Sequence, residues 1–153
     1  MFKLGEQQTA DLRQVRIDKL NALINAGRDP YKISKYVVTS NSKYIKDNFE
    51  EMEGKLVSIA GRIMSKRGQG KVGFYDIQDQ SGRIQMFVKL DHIGEEEYNW
   101  LKTYDIGDIV GVKGEVFKTK TGEVSVRTEE IKLLSKSLQT LPEKFHGLKD
   151  MDL

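Results

Sequence analysis

GRIMSKRGQGKVGFYDIQDQSGRIQMFV, residues 61–88, decides the fold of this chain. Its apolar residues recur at every second position, first in the RIM run, then through VGFYDIQ, then through RIQMFV. A period of two is that of an extended strand with one face buried. Gln80, Ser81 and Gly82 interrupt the pattern with turn-forming residues, so the second and third runs read as two strands joined by a tight turn. Parity then sorts the side chains. Tyr75, Ile77, Ile84, Met86 and Val88 go inward; Phe74, Asp76, Gln78, Arg83, Gln85, Phe87 and Lys89 go outward. In the first strand Val57, Ile59 and Ile63 share the inner face, and Ser58, Arg62 and Lys66 share the outer one.

The same texture continues on both sides. LVSIAGRIM (56–64) lengthens the first strand, and DIVGVKGEVF (108–117) and EVSVRTEEIKLL (123–134) supply a fourth and a fifth. Thr121-Gly122 turns the chain between these last two. In the fifth, Val124 and Val126 face inward and Glu123, Ser125 and Arg127 outward. Residues 94–103 read as a short helix between the third and fourth strands, offering Trp100 and Leu101 as a barrel plug. Five strands with a helix after the third is the order of an OB barrel. The segment before Gly54 is helical instead. Leu12, Val15, Leu20, Leu23 and Ile24 follow the three- and four-residue spacing of an amphipathic helix, which Gly27 and Pro30 end. A second short helix starts at Ser40 or Ser42, either of which can cap it, and carries Tyr44, Ile45 and Phe49 on one side. The predicted architecture is mostly β with helices: a helical arm over 1–54, a five-stranded OB barrel over 55–138, and a linker over 139–153.

Composition sets limits on function. The chain has 153 residues, 38% hydrophobic and 31% charged, with no cysteine and a net charge of +2. That is a polar globular composition without disulfides, thiolate metal sites or a cysteine nucleophile. No apolar run nears the roughly 20 residues that cross a bilayer, and the first residues lack the apolar core of a signal peptide. A cytoplasmic location with no membrane partner is expected. The two histidines, His92 and His146, stand 54 positions apart with no HExxH spacing. RGQGK does not fit the GxxxxGK[ST] spacing of a nucleotide-triphosphate loop.

Charge is uneven where the total is small. Arg62, Lys66, Arg67 and Lys71 stand in ten residues that hold no acid. A basic run is often only a solvated face, and it gains meaning when the same surface can read bases. The outer face of the second and third strands can. Phe74 offers a stacking platform, Gln85 or an Arg can bond a base edge, and Glu123 can accept from a base N–H. Phe74 has a second reading, in which it packs beneath the N-terminal helices. Parity alone leaves both open.

Residues 61–88 closely resemble the first three barrel strands of class II lysyl-tRNA synthetases, and the aspartyl and asparaginyl enzymes share a looser form. RIDKLNALINAGRDPY (16–31) resembles the opening helix of the lysyl enzymes. GDIVGVKGEVFKTKTGEVSV (107–126) resembles their fourth and fifth strands, and LPEKFHGLKDMDL (141–153) the linker into their catalytic domain. The resemblance implies that the barrel grips the uridine-rich anticodon loop of tRNA-Lys. It assigns stacking to Phe74, reading of the central uridine to Gln85, a cationic loop contact to Arg67, and the carboxylate after the glycine turn to Glu123. Phe87 falls where these enzymes usually carry an aromatic; Arg83 and Lys66 are expected to add positive charge. The resemblance further implies a parent lysine–tRNA ligase that is a homodimer and uses ATP and Mg. Neither cofactor is expected in this segment, nor any catalysis by it alone. The other readings are a general single-stranded nucleic-acid module, an aspartyl- or asparaginyl-type anticodon domain, and a protein-interaction domain built on the arm.

Overall fold

The expected strands form as β1 (Leu56–Gln69), β2 (Val72–Gln78), β3 (Arg83–Lys89), β4 (Ile109–Lys118) and β5 (Val124–Ser135) in a computed structural model that describes residues 4–30 and 36–138. They close into a barrel in the order β1–β2–β3–β5–β4. All neighbours are antiparallel except β3 and β5, whose parallel pairing closes the ring. Of the inward set expected from parity, Val57, Ile59, Ile63, Tyr75, Ile77, Ile84, Met86, Val88 and Val126 are buried and fill the interior, while Val124 is half-buried against them. At roughly 1.5–3 kcal/mol for each large apolar side chain, this burial is the main force holding the barrel closed. Gly70 (φ +65°) and Gly122 (φ +94°) supply the left-handed backbone of the β1–β2 and β4–β5 hairpin turns.

Parity fails in β1 beyond Ile63. The register with β2 shifts between Ile63 and Ser65, so that Ser65 and Arg67 pair with Asp76 and Phe74, and Lys66 pairs with inward-facing Tyr75. A bulge inserts one residue and reverses the facing of everything after it. Lys66 therefore leaves the outer face on which simple alternation had placed it. Ser58 departs for another reason. It does sit on the outside of the barrel, but residues 36–40 strap over it: Thr39 N–H donates to Ser58 O (2.8 Å) and Ser58 Oγ donates to Val37 O (2.7 Å).

Helix α1 (Leu4–Asn25) begins earlier than its apolar pattern, in a stretch where Glu6, Gln7, Gln8 and Ala10 favour helix and Gly5 and Thr9 do not. It ends in a glycine cap at Gly27 (φ +76°), with Gly27 N–H donating to Ile24 O and Arg28 N–H to Leu23 O. Of the expected stripe only Leu23 is buried; Leu12, Val15 and Ile24 remain exposed. Polar contacts do the rest of the attachment. Lys19 Nζ donates to Asp105 Oδ1 (3.0 Å), and Arg16 reaches the Ser137 hydroxyl (3.3 Å). Behind them Lys136 Nζ bridges Asp105 (2.6 Å) and Asp108 (2.8 Å). Burial raises the Asp105 pKa, but the hydrogen bonds from Lys136 and Lys19 outweigh it and hold the carboxyl below its ordinary value.

The second helical segment is two pieces, α2 (Ser42–Asp47) and α3 (Phe49–Met52). Its cap is Asn41, whose Oδ1 accepts from Tyr44 N–H (2.8 Å), and not Ser40 or Ser42. Ser42 instead gives its N–H and hydroxyl to Asp79 at the β2–β3 turn (2.9 and 2.8 Å), which docks α2 on the barrel. Ile45 enters the core, Phe49 packs partly against it, and Tyr44 stays exposed. After β3 the chain forms α4 (Leu90–Ile93) and α5 (Glu95–Lys102), separated at Gly94. Leu101 plugs the barrel as expected, but its companion is Tyr98; Trp100 is half-buried, with the Arg28 guanidinium 5.5 Å from its ring centre. The expected linker, 139–153, lies outside the described residues, as does His146.

Candidate nucleic-acid interface

Strand pairing turns the outward residues of β2 and β3 into two rows that run across the sheet. The first row is Arg67, Phe74, Phe87, Arg127 and Glu115, each the register partner of the next. The second is Ser65, Asp76, Gln85, Ser125 and Phe117, paired in the same way. Side chains directly opposite on adjacent strands are the ones that touch, and these do. Phe74 and Phe87, directly opposite, have ring centres 5.1 Å apart with a 43° tilt; Phe87 also reaches across β5 to Phe117 of the second row, 5.7 Å away and tilted by 58°. All three rings are half-buried. This tilted packing is the geometry aromatic pairs prefer, and it fixes the rings without covering them fully. Phe74 thus packs against Phe87, not beneath the helices.

Polar groups border the aromatic run. Arg67 donates to Gln85 Oε1 (3.0 Å) and lies 3.7 Å from Asp76, which also accepts from the Ser65 hydroxyl (2.7 Å). Gln85 Nε2 donates to Ser125 Oγ (3.0 Å). At the far side Arg127 lies over Phe117, 4.3 Å from its ring centre, and its Nη1 donates to Glu115 (2.8 Å). The surface combines π faces, an amide and two guanidinium groups, which is the equipment for stacking unpaired bases and bonding their edges.

Of the residues expected from sequence, Phe74, Phe87, Gln85 and Arg67 meet on this face. Arg83 stands at its margin, exposed, with Nε donating to Gln78 Oε1 (3.2 Å). Glu123 is exposed one residue before β5, keeping the parity of Ser125; its main chain closes the turn with Thr119 while its side chain points into open surface. Lys66 is elsewhere. Its ammonium donates to the carbonyls of Lys102 and Tyr104 beside α5, and burial there lowers its pKa. Phe117 and Arg127 join this surface and Ser125 underlies it, although none of the three is an expected site residue. Alternation applied to DIVGVKGEVF would have turned Glu115 and Phe117 outward. Ser125 was placed outside the barrel, but it is fully buried there, beneath Gln85 and beside the Glu123 carbonyl that accepts from its hydroxyl (3.2 Å).

Asp79 is a turn residue: it accepts from Ser81 N–H (2.8 Å) and Gly82 N–H (3.0 Å) as well as from Ser42. His92 is exposed in the last turn of α4. Among the described residues no group of three or more His, Cys, Asp or Glu is arranged to hold a metal, and no helix is long and apolar enough to cross a membrane.

Comparison with known proteins matches residues 57–134 to the tRNA anticodon family of OB-fold nucleic acid binding domains. The chain is 55% identical to a lysine–tRNA ligase of Thermoanaerobacter sp. (strain X514) over 147 residues, which is 96% of this chain and 30% of that protein. It is 54% identical over 149 residues to a lysine–tRNA ligase of Clostridium perfringens (strain ATCC 13124), covering 97% of this chain and 30% of the relative. A lysine–tRNA ligase of Clostridium botulinum (strain Langeland) is 51% identical over 148 residues, 97% of this chain and 29% of its own length. The chain therefore spans about 30% of the length of the curated relatives it matches.

Proposed function

The chain belongs to the tRNA anticodon family of OB-fold nucleic acid binding domains, and from that premise we propose that its β2–β3 face reads the UUU-type anticodon loop of tRNA-Lys. The observation that carries the proposal is the pairing of Phe74 with Phe87 (5.1 Å) directly beside a hydrogen-bonded Arg67–Gln85 unit. Phe74 stacks a splayed base, with Phe87 supporting its ring. Gln85 bonds the Watson–Crick edge of the central uridine. Arg67 and Arg83 supply charge toward the backbone, and Glu123 accepts from a base N–H at the start of β5. Lys66 braces the α5 end and contributes only to the local field.

In this reading residues 1–54 are an arm, 55–138 the anticodon-binding barrel and 139–153 the start of a linker. The match over 57–134 supports the barrel limits. The larger protein would be a cytoplasmic, homodimeric lysine–tRNA ligase, joining lysine to tRNA with ATP and Mg. The identity of about half the residues to such ligases supports this. ATP and Mg belong to this reading of the larger protein, and no step is routed through them here. Exposed Leu12, Val15 and Ile24 on α1 favour a secondary role for the arm in contacts with another protein surface.

Fluorescence anisotropy with a labelled anticodon stem-loop tests the proposal. A UUU loop should bind more tightly than one whose central uridine is cytidine, at the same salt. Phe74→Ala should cost about 1–3 kcal/mol of binding, the usual worth of one stacked base, and Gln85→Ala should erase the preference, with both variants still folded. Equal binding of the two loops would reduce the barrel to a general single-stranded module. Unchanged affinity in both variants would remove the site from this face.

A further inference from the structure

Gln85 is held by both ends of its amide. Arg67 can only donate, so the amide oxygen must face it. On the other flank, the single proton of the Ser125 hydroxyl is directed to the Glu123 carbonyl (3.2 Å), which leaves Ser125 Oγ only its lone pairs to offer Gln85. The amide nitrogen must therefore face Ser125, as the 3.0 Å contact has it. The two constraints are independent and agree. Ser125 is fully buried, so water does not compete for its oxygen.

We infer that Ser125 is a positioning residue for pyrimidine discrimination: it locks the Gln85 amide in one of its two flip states, so that the face accepts uracil and rejects cytosine. The inference rests on the proposed reading of the β2–β3 face. A primary amide has two N–H donors and two acceptor lone pairs, and Arg67 and Ser125 use one of each. They come from opposite sides, Arg67 across β2 and Ser125 from β5. One N–H and one lone pair remain on the edge between them. That edge matches the N3–H and O4 of uracil, giving N–H to O4 and accepting from N3–H. Cytosine reverses both groups. Held in the same pose, it would set N4–H₂ against the amide N–H and its N3 lone pair against the amide oxygen. Turning the amide over would satisfy cytosine, but would face the amide NH₂ toward Arg67 and draw the Ser125 proton off the Glu123 carbonyl to meet the amide oxygen. Discrimination arises because the flip is blocked. An amide free to turn would take either pyrimidine.

The test compares UUU and UCU stem-loops on the wild-type chain, Ser125→Ala and Ser125→Thr, each checked by thermal melting. Ser125→Ala should lower the UUU-over-UCU ratio about fivefold or more, the worth of roughly one net hydrogen bond. Most of the change should come from tighter UCU binding. Ser125→Thr, which keeps the hydroxyl, should retain the ratio. An unchanged ratio in Ser125→Ala, or an equal loss for both loops, would overturn the inference while leaving the anticodon reading in place. A wild-type chain without preference would overturn that reading itself. If Ser125→Ala does not fold, the wild-type chain decides by NMR. A locked amide gives a Gln85 side-chain nitrogen order parameter near the rigid-backbone value of about 0.85 before RNA is added; a value below about 0.6 overturns the lock.

Discussion

Two polar clusters in this molecule use the same kinds of residue and end in opposite states. At the junction of α1 with the barrel, Lys136 and Asp108 are almost wholly buried (side chains 1% and 0% exposed), and Asp105, Arg16 and Lys19 complete a set in which each charge meets an opposite one. On the β2–β3 face, Arg67 is 54% exposed and its partner Gln85 keeps an unused donor and acceptor. Closure decides the role. A buried charge with all its partners fixes one arrangement of the chain and has nothing left to offer a ligand. A half-exposed amide held by two neighbours is ordered and still chemically open, which is what preorganised recognition needs.

The contrast breaks most visibly at Lys136. Lys136→Ala should leave the buried Asp108 carboxylate without its cation, while Asp105 keeps Lys19, and cost about 3–5 kcal/mol of folding free energy, measured by urea unfolding. The folded fraction should bind the UUU loop as before. A loss below about 1 kcal/mol would mean that water reaches the cluster and that it is not closed.

Acid offers a smaller effect at the same place. Burial raises the Asp105 pKa, but hydrogen bonds from Lys136 and Lys19 bring it below the ordinary value. A carboxyl depressed in the folded state contributes stability that is complete above its unfolded pKa, near 3.9, and lost as the pH falls through the lower folded value. Unfolding free energy should therefore decline below about pH 4. Asp105→Asn should flatten that part of the profile; an unaltered acid limb would assign it to other carboxyls, with Asp79, also held below its usual range against burial by its hydrogen bonds with Ser81 and Ser42, the next to substitute. The smallest effect separates two adjacent cations. Arg67→Met should reduce the salt dependence of RNA binding by up to about 0.7 in log–log slope, the single-strand value per phosphate. Lys66→Met, whose ammonium is engaged by the Lys102 and Tyr104 carbonyls, should leave the slope unchanged. Equal slopes in the two variants would put both residues on one surface.

How far the site could be read from sequence follows from where alternation holds. β2 and β3 pair in unbroken register from Val72↔Lys89 to Gln78↔Arg83, and every side-chain direction expected there is the one observed. β1 is interrupted between Ile63 and Ser65, and Lys66 was misplaced because no local residue announces a bulge. Asn41 took the cap from the serines because Ser42 is drawn to Asp79, a contact 37 positions away that no local pattern encodes. The burial of Ser125 is equally long-range, being set by Gln85 and by the turn at Glu123. Tyr98 replaced Trp100 in the plug because Trp100 is partnered by Arg28, outside the barrel. The barrel as a whole was legible because its alternation is local and repeated five times.

The ring closes on its narrowest seam. β3 and β5 share three register pairs, Gln85↔Ser125, Met86↔Val126 and Phe87↔Arg127, whereas β2 and β3 share seven. Fewer pairs mean fewer main-chain hydrogen bonds to break, so this boundary opens at the lowest cost. The barrel thus first comes undone at the strand boundary that carries Gln85, the amide proposed to read the loop. A bound RNA loop would act as a clasp on that seam, slowing hydrogen exchange along it far more than around the rest of the ring.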